Sequence, residues 1–339
     1  MNRPTVYNFH KIDTKVDYTA SQKLRLSGRW GYQPYYNFQA PIYGEFLGGS
    51  GGFPQSGAGN YLQNGATLAI SGSGTYVVSP TFVVDATFGI TQAHQLLFPN
   101  KTNERVGADT LGIPGTNKGI LPWAGLPQFA LSGFVTFGYS YTALEYKDPI
   151  FEYTANATKT MGSHTIRFGF DISRQHQNHI ETNPDVFTFT GNATALNGGP
   201  GANPYNVVAD YLLGLPTTMS NQTQFIQPQE TLRTWEYALY VRDQFQVNRK
   251  LTVNYGVRWE WYPVPTQETK GTSIYDFATN TITQCGTGGQ PMDCGSKVSH
   301  KLLAPSFGVQ VLLIVPSKKW WSASATHFLH RRTTWPAIS

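Results

Sequence analysis

The sequence predicts an all-β chain: an antiparallel transmembrane β-barrel segment, about nine strands of a larger barrel, with short periplasmic turns and long extracellular loops. Three observations predict it. Stretches of strict alternation put an apolar side chain at every second residue and a polar one between. The pattern recurs in four hairpins, which a single half-buried sheet would not require. Turns within each pair are about three to five residues, whereas connections between pairs run from roughly thirty to nearly sixty.

In chain order, the first pair sets Ile12, Thr14, Val16 and Tyr18 against Lys11, Asp13, Lys15 and Asp17. It turns over Thr19 to Gln22 and returns with Leu24, Leu26, Gly28 and Trp30 opposite Arg25, Ser27 and Arg29. A second pair turns at Ser79-Pro80-Thr81, and its return strand opposes Phe82, Val84, Ala86, Phe88 and Ile90 to Asp85, Thr87, Gly89 and Thr91. A third turns at Met161-Gly162-Ser163 and sets Ile166, Phe168, Phe170 and Ile172 against Arg167, Gly169, Asp171 and Ser173. The fourth is the clearest. Trp235, Tyr237, Leu239 and Val241 alternate with Glu236, Ala238, Tyr240 and Arg242, and after Asn248-Arg249-Lys250 the apolar row Leu251, Val253, Tyr255, Val257, Trp259, Trp261 faces Thr252, Asn254, Gly256, Arg258 and Glu260. One greasy side ending in aromatics and one wet side carrying both charge signs is the pattern of a strand between lipid and water.

Composition agrees. Aromatics make up 14% of the chain, charged residues 13%, and there are 34 glycines; an average soluble domain is about 25% charged. The longest apolar run, Val311 to Val315, is far short of the roughly 20 residues a membrane helix needs. The net charge of +5 does not mark a nucleic-acid partner. Six basic residues and no acidic one lie from Cys294 onward, which leaves 19 basic against 20 acidic before it, so there is no clustered basic face. Residues 1–311 read as barrel. Beyond Val311 the alternation fails, and residues 312–339 read as an irregular tail that is not native barrel sequence, as a frameshift would produce.

Motifs that bear chemistry are few. Gly48-Gly49-Ser50-Gly51-Gly52 matches a nucleophile elbow in letters but lacks the strand before and the helix after it, so no catalytic residue is assigned. His176 and His179 are spaced as some metal ligands are, yet no cysteine or carboxylate cluster completes a set, so neither metal nor cofactor is assigned. Asp85, Arg167, Asp171, Arg242, Arg258 and Glu260 read as charge ladders facing a watery lumen. Cys285 and Cys294, nine apart in a flexible loop, read as a disulfide if that loop lies outside the inner membrane. Tyr35, Tyr36 and Trp123 are loop aromatics able to stack on a ligand.

The same residues carry a family resemblance. Gly162-Ser163-His164-Thr165-Ile166-Arg167-Phe168-Gly169-Phe170-Asp171 is similar to the G-x-H-x-(aliphatic)-(basic)-F-G-x-(acidic) hairpin of Oar-like TonB-dependent outer-membrane transporters. Ala209 to Pro216 resembles their "aDfLLGlp" segment. Tyr240-Val241-Arg242-Asp243-Gln244-Phe245 with Leu251 to Glu260 resembles their "y-x-q-D-x-(aromatic) … L-T-x-n-x-G-x-R-(aromatic)-E" hairpin. The resemblance covers roughly residues 5 to 310. It implies a location in the Gram-negative outer membrane, lipid as a partner, and uptake of an unidentified bulky solute without covalent chemistry. A TonB-type energising complex is implied for the full-length protein only. This stretch shows no plug, TonB box or secretory segment, so it reads as a fragment of such a transporter. The competing expectation is a soluble extracellular β-protein, an adhesin or carbohydrate-binding module, whose apolar faces would be buried against a second sheet.

Overall fold

In the computed structural model the backbone is described for residues 6–39, 61–99, 104–116, 125–138, 143–182, 184–196, 203–220, 229–268, 271–314 and 320–328. Long antiparallel strands dominate: β1 (Val6–Phe9), β2 (Ile12–Thr19), β3 (Leu24–Gln39), β4 (Tyr61–Ser79), β5 (Phe82–Pro99), β6 (Gln128–Leu131), β7 (Ala143–Met161) and β8 (His164–Thr182). After β9 (Val186–Phe189), a helix α1 (Pro204–Leu212) and β10 (Thr218–Ser220) come β11 (Gln229–Asn248), β12 (Leu251–Trp261), β13 (Thr266–Gln267), β14 (Ser273–Asp276), β15 (Thr281–Gln284), β16 (Leu302–Ile314) and β17 (Trp320–Phe328). The main sheet runs β1-β3-β4-β5-β7-β8-β11-β12-β16-β17, with β2 on β3 and β13 on β11. Sequential strands are neighbours throughout, and the first and last lie at opposite edges, so the sheet is an open sector of a barrel. No described helix is long and apolar enough to cross a membrane.

Turn chemistry sets the hairpins. Gly162 adopts φ 58° at the first position of a two-residue turn, where a side chain would be strained. Asn248 Oδ1 accepts from the N–H groups of Lys250 (2.8 Å) and Leu251 (3.0 Å), and Ser21 Oγ accepts from those of Lys23 and Leu24. Each side-chain acceptor copies a backbone turn bond.

Register places the alternation on two faces. One apolar row crosses four strands as Ala155, Phe170, Leu239 and Trp259, and the next as Ala157, Phe168, Val241 and Val257. The larger of these side chains are uncovered: Phe168 is 46% exposed and Leu239 52%, as is Leu303 (62%), the register partner of Trp259. Among the described residues the other sheets are one of three short strands and one of two. Above the row sits a girdle in which Trp235 stacks on Tyr237 (5.7 Å) and Tyr237 on Trp261 (5.2 Å), with the Arg174 guanidinium 4.9 Å over Trp235. The polar face is concave. Cavities of 480, 370 and 200 Å³ lie against it, one of them bordered by residues of β2, β3, β4, β5 and β7.

Two features differ from the sequence reading. Strands β3, β4, β5, β7, β8 and β11 hold 16 to 20 residues, against the 9–11 a tilted membrane strand needs. Pairing runs over nearly the whole of that length. The sheet also continues past residue 311. β16 reaches Ile314, and Trp320–Phe328 pairs with it antiparallel, from Ser306↔Phe328 to Ile314↔Trp320, inside the segment read as irregular. Ser322, Ser324 and Thr326 do alternate with Trp321, Ala323 and Ala325, but alanine against serine is a weak contrast, and an open strand edge is itself a template for pairing.

Candidate functional site

The concave wall is a ladder of polar groups held by the alternate residues of each strand. Arg29 reaches Asp13 from the neighbouring strand, Nε to Oδ1 at 2.9 Å. Arg258 sits between Glu260 (2.8 Å) and Asp171 (3.6 Å). Asp85 accepts from Asn156 Nδ2 at 2.7 Å and lies 4.0 Å from Arg167. Tyr240 passes over Gly169 to donate from its hydroxyl to Asn156 Oδ1, and a Cβ at Gly169 would meet the Tyr240 ring at 3.0 Å. Gly169 therefore clears the path of a cross-strand hydrogen bond. The six residues read as a lumen ladder all lie on strands of this wall, and all but Arg242 are paired with an opposite charge.

At the rim carrying the long connections, two of them fold together into a small subdomain. β6 pairs in parallel with β9, β10 pairs antiparallel with β9, and α1 packs on them. Its core is Val106, Leu126, Phe129, Leu131, Phe187, Phe189 and Val207. Local chemistry explains the helix. Asn203 caps it, accepting from the Tyr205 N–H at 2.8 Å, and Pro204 occupies the first turn, where a missing N–H costs nothing. At the far end Leu215 N–H bonds to Asp210 O and Gly214 N–H to Tyr211 O, with Gly214 at φ 67°. This is the Schellman stop that the letters Leu213-Gly214-Leu215-Pro216 encode.

Asp210, the acid of that motif, is completely buried. It takes the Thr194 N–H (2.9 Å), the Thr194 hydroxyl (2.8 Å) and the Ala193 N–H (3.3 Å), tying α1 to the chain after β9. Burial pushes its pKa up, but the Thr194 hydroxyl and the N–H groups of Ala193, Thr194 and Gly191 together outweigh that and hold it below the ordinary value. The stabilisation is therefore complete above the unfolded carboxyl's pKa of about 3.9 and is lost as pH falls through the lower folded value. Asp210→Ala is expected to open the segment 191–217 to protease while the long strands stay resistant. Equal resistance of wild type and variant in limited proteolysis would refute the tie.

The subdomain core is open on one side to a cleft of about 460 Å³, lined among others by Phe129, Phe137, Phe187, Phe189, Tyr211 and Leu212. Phe137, Phe129 and Phe187 stack at 5.2 and 5.6 Å, and Tyr211 stands edge-on to Phe129, Phe137 and Phe189. No local signal marks these aromatics. They lie in short, widely separated segments.

A second cluster joins three pieces of the motif hairpins. Asp243 is 9% exposed and lies in the apolar row, between Ile166 and Tyr255. His164 Nδ1 approaches its Oδ2 at 2.6 Å, and the Tyr255 hydroxyl donates to the same oxygen at 2.7 Å. His164 also stacks on Phe245 at 4.3 Å. The carboxylate on β11 thus bonds to both neighbouring strands beside the short turns.

The other residues singled out by sequence fall as follows. Tyr35 and Tyr36 are not loop residues: both lie in β3, paired with β1 and β4, and Tyr35 covers Gly65 on β4, where a Cβ would strike its ring. The cause is the strand extension above the membrane band. Trp123 and Gly48 to Gly52 lie outside the described residues. Cys285 and Cys294 are bonded, with Cα atoms 5.1 Å apart, in the connection between β12 and β16. His179 bonds to Asp148 at 2.9 Å, while His176 lies against Phe151. Residues three apart on a strand point to opposite faces, so the two imidazoles share no site. Among the described residues no group of three His, Cys, Asp or Glu is placed to hold a metal.

An open antiparallel sheet with an exposed apolar belt, an aromatic girdle and a polar concave wall defines a sector of a transmembrane β-barrel. Residues 1–313 match the family described as outer membrane beta barrel domain, and the chain belongs to it; its place is the outer membrane of a Gram-negative cell. No curated protein matches. Among solved structures the chain is similar to the ferric-catecholate import receptor Fiu of Escherichia coli K12 in its closed form (15% identity, TM-score 0.46, covering 91% of this chain and 42% of that one). It is similar also to the outer membrane transporter YddB of Escherichia coli (11%, 0.45, 91% and 38%). The chain spans less than half the length of either.

Proposed function

We propose that this chain is one sector of a TonB-dependent transporter barrel, which takes up a bulky solute across the outer membrane without covalent chemistry and draws energy from a TonB-type complex only as the full-length protein. The observation that carries this reading is the resemblance of three motifs, Gly162–Asp171, Ala209–Pro216 and Tyr240–Glu260, to that family. Membership in the outer membrane barrel family supports it. So does an open sheet, whose unpaired edges would each cost several kcal/mol per backbone group in lipid and which neighbouring strands of a larger barrel would satisfy. The rim subdomain stands where recognition loops on a rigid scaffold stand. Deleting the encoding locus is expected to abolish uptake of one solute from a panel of oligosaccharides, peptides and metal chelates, and dissipating the inner-membrane proton gradient should do the same. Uptake that persists after dissipation overturns the energised mechanism.

A further inference from the structure

We propose that Arg167 and Arg242 form an oxyanion-binding site on the concave wall, able to take a phosphate or carboxylate group. The two arginines are direct register partners on β8 and β11. Like charges opposite each other on one sheet face repel, and elsewhere on this wall two arginines are answered by acids. Arg29 has Asp13, and Arg258 has both Glu260 and Asp171. At the Arg167–Arg242 pair the one acid ion-paired with either arginine among the described residues is Asp85, 4.0 Å from Arg167 and already accepting from Asn156. Arg167 Nε is buried with no partner, and Arg242 has no acidic partner among the described residues.

The surroundings suit an anion. Both arginines border the 480 Å³ cavity, together with Thr165, Gln244, Asn254 and Ser306, which are neutral and can donate from hydroxyl or amide. Asp243 also borders it, but it lies in the apolar row, with Oδ2 engaged by His164 and Tyr255 and Oδ1 buried without a partner. Arg242 is brought in by Gly256 on β12: a Cβ there would lie 2.7 Å from Arg242 Cβ, so the wall keeps a bare backbone where the arginine stem passes. Two adjacent guanidinium forks match the geometry of a polyoxygen anion.

The site's position on a solute route rests on the transport reading; binding itself does not. The test uses the 339-residue chain folded in detergent micelles, with thermal unfolding followed by tryptophan fluorescence in inorganic phosphate or in chloride at equal ionic strength. Phosphate is expected to raise the midpoint saturably. Arg242→Gln should weaken the apparent phosphate affinity at least ~10-fold, the loss of one charge-assisted hydrogen bond, and be no less stable than wild type in chloride. Arg29→Gln, outside the site, should keep the phosphate effect. Equal midpoints in phosphate and chloride, or an undiminished phosphate effect in Arg242→Gln, overturns the proposal. A locus filled instead by an acidic polypeptide segment would give the first of these results. Phosphate binding in a protein whose deletion abolishes no energised uptake would count against the transport reading alone.

Discussion

Replacing Asp243 by alanine is expected to lower the unfolding free energy by about 2–3 kcal/mol, the range for breaking a buried charge-assisted hydrogen-bond cluster. Asp243 stands on the lipid-facing side of β11, where the side chains two residues away in each direction are Val241 and Phe245. An acid there is tolerable only because two donors converge on it. An ionised carboxylate can only accept, so His164 presents its Nδ1–H from β8, and the Tyr255 hydroxyl donates from β12. Removing the carboxylate strands both donors and unlinks three neighbouring strands at the short-turn end of the sheet. Tyr255→Phe and His164→Ala should each cost less, since the other donor remains. Urea unfolding in lipid vesicles reads all three. Coupling is the decisive quantity, because residues in one network are non-additive. If the losses in Asp243→Ala and Tyr255→Phe simply add in the double variant, the cluster is not a unit.

How much of this was legible beforehand depends on the range over which each feature is specified. The hairpin around Arg249 is encoded within some thirty consecutive residues by a two-residue period, and its register, Leu239↔Trp259 and Val241↔Val257, is the one that parity requires. The acid at Asp243 was visible as a parity violation in the same strand. Its partners were not, since they come from β8 and β12. Tyr35 and Tyr36 belong to a strand whose two-residue period runs on past the hairpin, with Trp30, Tyr32, Tyr36 and Phe38 against Gln33, Asn37 and Gln39, and Pro34 masks that continuation. The rim subdomain was least legible. Gln128–Leu131 and Val186–Phe189 are four residues each and pair in parallel across a long loop, and nothing local in either segment names the other. What was legible there is the end of α1, because Asp210, Gly214 and Pro216 act within seven consecutive residues.

The claim that separates a membrane sector from any other two-faced sheet is the solvent of the apolar face, and one substitution pair tests it. Leu239 is half exposed in a row with Phe170 and Trp259, between the Trp235–Tyr237 stack and Phe245. If this row meets hydrocarbon, Leu239→Arg should cost about 2–4 kcal/mol, the range for arginine near the middle of a bilayer. If it met water, the same change at a half-exposed position would stay within about 0.5 kcal/mol. Ser173→Lys supplies the control on the concave wall. Ser173 is the register partner of both Glu236 and Glu152, so the new ammonium finds acids and water, and the change is expected to stay within about 0.5 kcal/mol. Measured by urea unfolding in vesicles, a large loss at residue 239 with near silence at 173 assigns lipid to one face and water to the other. Equal losses at both positions would mean that the exposed apolar belt does not face a bilayer.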